Sequence, residues 1–333
     1  MTMDQTILPP PSTAGIHHVT AICSDAQQNI DFFSGVLGLR LVKVTVNFDD
    51  PLSYHLYYGD VSGTPGTIMT FFVWPGVSPI ISPAAIAGVQ FSIPPGAADL
   101  WLSRLAGTQT PCRLMTSVDG RTGVEVTGPD GIHIELLCGD HPAKATLSGG
   151  PSPDHAAISG IAGVTLASRR VQESAFLFSS ELGLRAQEIA ATDLHPTTIA
   201  LSVPDCPVPC VTIQERSSLA AGHFAPGKIH HVAFRARDMV QQKMFQQGLA
   251  TAKYRPTEIM QRLYFQSIYF MEPGGAVCEI ATDGPGFAVD EPAGELGSGL
   301  KLPQWLESRR SEIERALPPL KLNPVTDASH FLR

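Results

Sequence analysis

Charge is scarce in this sequence, and positive charge is the scarcer of the two signs. Only 16% of the 333 residues are charged, and 23 basic against 31 acidic side chains leave a formal net charge of −8. Binding to a nucleic-acid backbone depends on clustered positive charge, and the chain contains no extended run of Lys and Arg. We therefore expect no nucleic-acid partner.

Long apolar segments are also missing. A helix that spans a membrane needs about 18 to 20 consecutive apolar residues, and no stretch of the sequence approaches that length. Residues 1–11 carry neither the basic flank nor the apolar core of a signal peptide. We expect a soluble, cytoplasmic protein that does not associate with membranes, and the sequence leaves a homo-oligomer open.

The six cysteines do not form the pattern of a structural metal site. Cys206 and Cys210 are spaced as C-x3-C in a proline-rich loop, but no second Cys or His pair lies nearby to complete a tetrahedral zinc site. We interpret the cysteines as reduced thiols. The core must then come from apolar side chains, and these make up 43% of the residues.

Glycine and proline are plentiful, and within this strand-and-turn composition one unit recurs four times. Two copies begin with Ile-His-His-Val, at 16–19 and 229–232, and each continues into a helix-like stretch; weaker copies begin at Gly88 and Gly160. Two copies end with a Pro-x-Gly turn and a strand in which three residues separate the Gly from a Glu. The pattern predicts an α+β fold of four βαβββ modules.

The same repeat predicts how the chain is divided. The modules fall at 15–75, 86–140, 159–218 and 227–285, so that the N-terminal half (1–145) and the C-terminal half (146–287) hold two modules each. The Gly/Pro/Ser-rich stretch 141–159 joins the halves, and a tail over 288–333 carries one amphipathic helix at 303–317.

Four βαβββ modules with paired histidines and a late glutamate resemble the vicinal oxygen chelate superfamily. Its members include glyoxalase I, extradiol dioxygenases, and fosfomycin and bleomycin resistance proteins. The resemblance covers about residues 15–287 and implies that the four modules assemble as two cup-like half-barrel pairs. It also implies two ligand positions per module, the second histidine of the pair and the glutamate of the last strand. In order along the chain the modules offer His18 and Thr70, Gln90 and Glu135, Gly163 and the apolar strand around Ile213, and His231 and Glu279.

Modules 1 and 4 together supply His18, His231 and Glu279, so we expect these two modules to pack against each other. Two histidines and one carboxylate form the facial triad of non-haem Fe(II) oxygenases, which leaves coordination positions open for substrate and O2. Strand alternation places His231 and Glu279 on the concave side of their strands, with His18 following by analogy. Glu135 has no histidine at the ligand position on the first strand of its own module and is favoured as an ordinary strand carboxylate.

Within the superfamily the chain most resembles the ring-cleaving dioxygenases that open hydroquinones. The matching segments are GIHHVTAI, LVKVTVNFDD, YHLYYGD, GTPGTIMTFF and RLYFQSIYF. The resemblance implies a non-haem iron, extradiol-type dioxygenase that acts on a small dihydroxylated aromatic and O2, with metal roles on His18, His231 and Glu279. Fe(II) is the implied metal, and Mn, Zn or Ni stay open.

The resemblance also implies substrate-contact or acid–base roles for His17, Arg262 and Tyr269. Strand geometry complicates these roles, because Arg262 and Tyr269 are seven residues apart and would face opposite ways on an ideal strand. A bulge, or a strand that begins after Arg262, is therefore required. His17 would lie on the helix side of its strand. His55 is a further candidate for the cup wall, although an ordinary strand role is favoured.

Two alternative functions stay open at this level. A glyoxalase I-like isomerase or lyase would need four protein ligands around Zn or Ni, and Thr70 stands where the fourth carboxylate would be. A metal-free protein that sequesters a small molecule would tolerate loss of the triad, which this sequence retains. Metal content and O2 uptake distinguish the three.

Overall fold

The computed structural model describes residues 11–80, 84–139, 156–190, 196–206, 208–216 and 224–322. Module 1 contains β1 (Ile16–Cys23), α1 (Ala26–Ile30), β2 (Arg40–Asn47), β3 (Asp50–Gly59) and β4 (Ile68–Val73). Module 2 contains β5 (Ile86–Ile93), α2 (Ala98–Gly107), β6 (Cys112–Thr116), β7 (Thr122–Thr127) and β8 (His133–Cys138). Module 3 contains β9 (Gly160–Ser168), α3 (Val171–Leu182), β10 (Arg185–Ile189), β11 (Thr198–Ser202) and β12 (Pro209–Glu215). Module 4 contains β13 (Ile229–Ala236), α4 (Met239–Thr251), β14 (Met260–Gln261), β15 (Gln266–Met271) and β16 (Val277–Thr282).

The strands form two eight-stranded sheets, and each sheet joins two modules. The first sheet has the order β14-β15-β16-β13-β1-β4-β3-β2, and the second has the order β10-β11-β12-β9-β5-β8-β7-β6. Module 1 thus shares a sheet with module 4, and module 2 shares one with module 3. The predicted α+β class with two paired half-barrels is confirmed. The proposed halves 1–145 and 146–287 are not the units that share a sheet, and most of their joint lies outside the described residues.

Each sheet is held together at its centre by an antiparallel pair, one strand from each module. β1 pairs with β13 in the first sheet, and β5 pairs with β9 in the second. The remaining strands have the same order in every module. The last strand of the module lies beside the first and parallel to it, and the two middle strands lie beyond the last. The symmetry of the pair brings the first strands of two distant modules side by side.

The helices cover one face of the sheets and form the core with them. Aromatic side chains of the helices, including Phe33, Trp101, Phe178 and Phe245, are fully buried against alternate residues of the strands. Burying a large apolar side chain contributes about 1.5 to 3 kcal/mol. α1 and α4 begin at equivalent aspartates, whose carboxylates accept the backbone N–H three residues on.

Two helices differ from the sequence prediction. The helix-like stretch that follows the first Ile-His-His-Val forms α1 and then a π-helical turn at Asp31–Val36, which carries the buried neighbours Phe32 and Phe33. The helix expected over 303–317 is a 3-10 segment, Gln304–Arg309, followed by α5 (Arg310–Ala316). No helix in the described part of the chain is long and apolar enough to cross a membrane.

Candidate metal centre and its cavity

Both histidine pairs lie at β-bulges in the central ladder of the first sheet. Between β1 and β13, Ile16 pairs with Phe234 and His18 with Ala233, so His17 is an extra residue on β1. His230 is the extra residue on β13, because Thr20 pairs with His231 and Ala21 with Ile229. A bulge breaks the alternation of side chains between the two faces. The expected placement of His17 on the helix side was therefore wrong, and the bulge at His230 breaks strand alternation in the same way.

Each bulge instead places the two rings of a pair in contact. The Nδ1 atoms of His17 and His18 are 2.9 Å apart, and those of His230 and His231 are 2.8 Å apart. The first histidine of each pair thus contacts Nδ1 of the second histidine. The Nε2 atom of the second histidine stays available for another partner. Such a contact fixes the orientation of a ring whose other nitrogen binds a metal.

The structure brings the side chains of His18, His231 and Glu279 together, although they come from distant parts of the sequence. The two Nε2 atoms are 3.3 Å apart, and Glu279 Oε2 is 3.0 Å from His231 Nε2 and 3.4 Å from His18 Nε2. All three side chains are buried. Within the described ranges they are the one group of His, Cys, Asp or Glu residues whose ligand atoms all lie within 4.8 Å of one another.

These three atoms have the chemistry of a metal-binding set. Glu279 Oε2 is buried against the two Nε2 atoms and has no other partner among the described residues, while Oε1 accepts the hydroxyl of Ser267 at 2.5 Å. Ligand atoms about 2.1 Å from one metal lie about 3.0 to 3.4 Å apart at right or tetrahedral angles, and the three observed distances fall in this range. The residues therefore fit a divalent metal.

Their protonation states agree with this assignment. Burial lowers the pKa of His231, so its ring is neutral and its lone pair is available. Burial alone would raise the pKa of Glu279, but the adjoining rings of His18 and His231 hold it well below its usual value. A neutral imidazole and an ionised carboxylate are the forms that bind a metal.

The ligand atoms open into a small cavity with largely aromatic walls. Its lining consists of His18, Thr20, Asn47, Phe48, Asp49, His55, Tyr57, Phe72, His231, Arg262, Phe265 and Tyr269. About 40 Å³ of this space is free, whereas a cavity that binds benzene measures about 150 Å³. An aromatic ligand would therefore have to move lining groups. The turn between β2 and β3 is the exposed part of the wall, and Asp49 closes it by pairing with Arg262 at 3.1 Å.

Arg262 and Tyr269 reach the same cavity because the strand breaks between them, as strand alternation required. β14 ends at Gln261 and β15 begins at Gln266, and Leu263 between them has a φ of +66°. A left-handed conformation is strained for a leucine. The Arg262 guanidinium lies 5.7 Å from the centre of the Tyr269 ring. Burial and Glu279 raise the pKa of Tyr269, and Arg262 opposes that shift.

His17 does not line the cavity. Its ring is buried against Phe265, with 5.0 Å between the ring centres, and its Nε2 has no hydrogen-bond partner within the described chain. It touches the ligand set only through His18. Sequence reasoning missed the matching residue His230, although the repeated His-His pair was a sufficient signal.

One predicted position in module 2 was wrong. Gln90 was matched with His18, but Gln90 pairs with Glu135 across β5 and β8 as Thr20 pairs with Thr70 across β1 and β4. Gln90 is therefore equivalent to Thr20, and Gly88 occupies the position of His18. The error arose because the short copy in module 2 has no histidine from which its register could be read.

Comparisons with known proteins agree with this architecture. Residues 15–136 match the model of the Glyoxalase/Bleomycin resistance protein/Dioxygenase superfamily. MhqO of Bacillus subtilis is 37% identical over 316 residues, which cover 94% of this chain and 98% of that protein; its name assigns it provisionally to the ring-cleaving dioxygenases. A Sphingobium indicum protein named chlorohydroquinone/hydroquinone 1,2-dioxygenase is 28% identical over 317 residues, covering 92% of this chain and 97% of its own length.

A solved structure gives the same result in three dimensions. The crystal structure of a Bacillus subtilis protein, provisionally named a dioxygenase, superposes with a TM-score of 0.86 at 36% identity and covers 94% of this chain and 99% of its own. Both Bacillus subtilis relatives align with this chain over almost their whole length. The chain therefore belongs to the glyoxalase/bleomycin resistance protein/dioxygenase superfamily, and its relatives there are named as ring-cleaving dioxygenases.

Proposed function

We propose that this protein is an Fe(II)-dependent dioxygenase that opens the ring of a dihydroxylated aromatic, of the hydroquinone or catechol type, with O2. The observation that carries the proposal is the convergence of His18, His231 and Glu279, of which the two histidines line a cavity with aromatic walls. The hydroquinone dioxygenase among the relatives supports the same class of substrate. Bound by these three residues, Fe(II) would supply electron transfer between the ring and O2.

The other residues divide into two roles. Arg262 presents a cation to the cavity and would stabilise negative charge that develops on a substrate oxygen. Tyr269, which Arg262 approaches, would donate or accept a proton at that oxygen. His17 would act through His18 by fixing the orientation of its ring. The aromatic side chains Phe72 and Phe265 would hold the flat ring and exclude water.

A glyoxalase-like isomerase is less well supported. Such an enzyme would need a fourth protein ligand, and the equivalent position holds Thr70, whose hydroxyl is engaged with His55 at 2.8 Å and with Thr20 at 2.9 Å. Glu135 belongs to the second sheet, where Gln90 donates to it at 2.8 Å. Three protein ligands leave positions open for substrate and O2, as an oxygenase requires.

The test is metal analysis joined to oxygen consumption. Protein purified without oxygen should contain about one iron per chain, and adding hydroquinone or catechol should start O2 uptake at an oxygen electrode. The matched control is the same protein stripped with a chelator and reloaded with Zn(II), which should bind the aromatic without consuming O2. Stoichiometric iron with no O2 uptake on any dihydroxylated aromatic would contradict the proposal.

A further inference from the structure

The wall of the cavity opposite Tyr269 carries a second tyrosine in an equivalent position. Tyr57 pairs with Thr70 across β3 and β4, as Tyr269 pairs with Glu279 across β15 and β16. The pseudo-symmetry of modules 1 and 4 therefore places the two phenols on opposite walls, and both line the cavity. Tyr269 is approached by Arg262, whereas Tyr57 has a histidine as its partner.

His55 is that partner, and it extends the contact into a chain of hydrogen bonds. Its Nδ1 is 2.9 Å from the Tyr57 hydroxyl, and its Nε2 is 2.8 Å from Thr70 Oγ1. Thr70 donates in turn to Thr20 Oγ1 at 2.9 Å, and Thr20 lines the cavity beside His231. The chain therefore crosses three adjacent strands, and both of its ends face the cavity.

The hydrogen-bond directions along this chain follow from the last bond. Because Thr70 gives its proton to Thr20, Thr70 accepts from Nε2–H of His55. Nδ1 of His55 then carries the lone pair and accepts the proton of Tyr57. His55 and Thr70 thus each accept once and donate once, while the Tyr57 and Thr20 hydroxyls at the two ends keep the capacity to accept from and donate to a ligand. This arrangement can pass a proton without separating charge.

We propose that Tyr57 contacts the substrate hydroxyl that points away from the ligand set, and that His55 links Tyr57 to a proton relay through Thr70 and Thr20. This inference rests on the proposed dioxygenase function. The remote hydroxyl gives its proton to Tyr57 as Tyr57 passes its own to His55 Nδ1. The proton on Nε2 moves to Thr70, that of Thr70 to Thr20, and that of Thr20 to the deprotonated ring oxygen that faces the ligand set. One O–H bond breaks and one forms, so no further reactant is needed.

The electrostatic surroundings favour a relay over proton storage. Burial, with His18 and His231 next in importance, lowers the pKa of His55 well below its usual value. Burial also raises the pKa of Tyr57 well above its usual value, with Tyr269 and Glu279 adding to the shift. Arg262 lowers both pKa values, and Glu279 opposes the fall in the pKa of His55. The pair therefore stays neutral and transfers protons in step.

If Tyr57 binds the second hydroxyl of the substrate, the position of that hydroxyl on the ring affects binding. The two hydroxyls of a hydroquinone lie at opposite ends of the ring, so one can face the ligand set while the other faces the far wall. In a catechol they are neighbours and both turn toward the same end. The geometry thus favours hydroquinones over catechols as substrates.

The first test is a binding cycle on Zn(II)-loaded protein under anaerobic conditions, with hydroquinone and phenol as probes. Phenol lacks the remote hydroxyl. Tyr57→Phe should raise the Kd for hydroquinone about tenfold, the value of one buried hydrogen bond, and leave the Kd for phenol unchanged. Tyr58→Phe is the matched control, because that hydroxyl donates to Asn29 on the opposite face of β3, and it should change neither Kd. Unchanged preference for hydroquinone, or equal weakening of both probes, would overturn the proposal.

The second test addresses His55 as a positioning residue with the iron-loaded enzyme. His55→Ala should lower kcat for hydroquinone about 100-fold and change KM much less. His55→Gln keeps a carbonyl that can accept from Tyr57 but cannot pass a proton from one ring nitrogen to the other, so its kcat should stay as low as that of the Ala variant. A kcat of the Gln variant near that of the wild type would contradict the relay. If wild-type protein consumes O2 but the His55 variants keep its kcat, this inference fails while the dioxygenase function stands; if wild-type protein consumes none, the function itself fails.

Discussion

The two sheets have the same architecture but contain different chemistry. Both have bulges at equivalent places in the central ladder, with His17 and His230 as the extra residues in the first sheet and Ala87 and Ala162 in the second. The first sheet has histidines at the ligand positions of the first strands. The second has Gly88 and Gly163 there. The bulges therefore result from the pairing of two modules and occur in both sheets. The candidate metal site depends on the side chains at these positions and occurs only in the first sheet of the described chain.

The second sheet also has a glutamate on the last strand of module 2, and other side chains occupy both of its oxygens. Glu135 accepts from Gln90 at 2.8 Å and lies 3.3 Å from His133 Nε2, so both of its oxygens are engaged. A Cβ at Gly163 would lie 2.7 Å from the Gln90 amide oxygen, and one at Gly88 would meet the His133 ring. Neighbouring side chains fill the space that the ligands occupy in the first sheet. A carboxylate at the right place does not make a metal site unless unpaired donors converge on it.

The largest expected effect is loss of the metal from the first sheet. His231→Ala should reduce metal affinity by more than the roughly 10- to 100-fold typical for a residue that only supports a ligand, and O2 uptake should disappear. Since the core rests on apolar faces, the circular dichroism spectrum should stay that of the wild type. Glu135→Ala is the control in the second sheet and should leave iron content unchanged. Retained iron in the His231 variant, or gross unfolding, would refute the assignment.

Thr70→Glu should sharpen the comparison by giving the first sheet two equivalent carboxylates. Thr70 occupies in module 1 the position of Glu279 in module 4, so the new carboxylate would add a protein ligand and occupy an open position. Iron content should stay near one per chain, and O2 consumption should fall about 100-fold. The same substitution at Thr212, the equivalent position in the second sheet, should preserve turnover. Full oxygenase turnover in the Thr70 variant would mean that this position does not face the metal.

A moderate effect on stability is expected in the second sheet. Gly163→Ala places a Cβ 2.7 Å from Gln90 Oε1 and 3.0 Å from the Cys210 carbonyl oxygen, and overpacking of this kind costs about 1 to 3 kcal/mol. Urea denaturation should reveal a corresponding fall in the free energy of unfolding. Gly107→Ala, where nothing lies within 4 Å of the added Cβ, should not be destabilised. Equal unfolding midpoints for the two variants would indicate that the second cup is not tightly filled.

The smallest effect concerns pH. The hydrogen bond to Glu135 raises the pKa of His133 above its usual value, with burial opposing the shift. A raised pKa in the folded state contributes stability that is fully present below the pKa of the unfolded chain and is lost as the pH rises through the folded value. His133→Asn should therefore lower the melting temperature more at about pH 5.5 than at about pH 8.5. A pH-independent difference from wild type would argue against the ion pair.

Local and periodic signals in the sequence identified the modules and the three proposed ligands. The repeated Ile-His-His-Val and the Pro-x-Gly turn with its glutamate are short patterns, and the spacing of apolar residues predicts helices from them. The combination of two histidines and one carboxylate then predicts that modules 1 and 4 meet. Arg262 and Tyr269 also indicated a break in their strand, because their spacing conflicts with a period of two.

Only the tertiary structure decided where the remaining side chains point. The bulges form where two strands from distant modules pair with a shift in register. Side-chain alternation along a single strand therefore does not predict the faces on which His17 and His230 lie. The equivalence of Tyr57 with Tyr269 likewise depends on ladder registers between strands, and the register of Gly88 depends on its pairing with β9. The sequence determined which chemistry the chain carries, because residue types and short periods are local properties. Which side chains share the cavity was decided by pairing between segments about 200 residues apart, which no local pattern encodes.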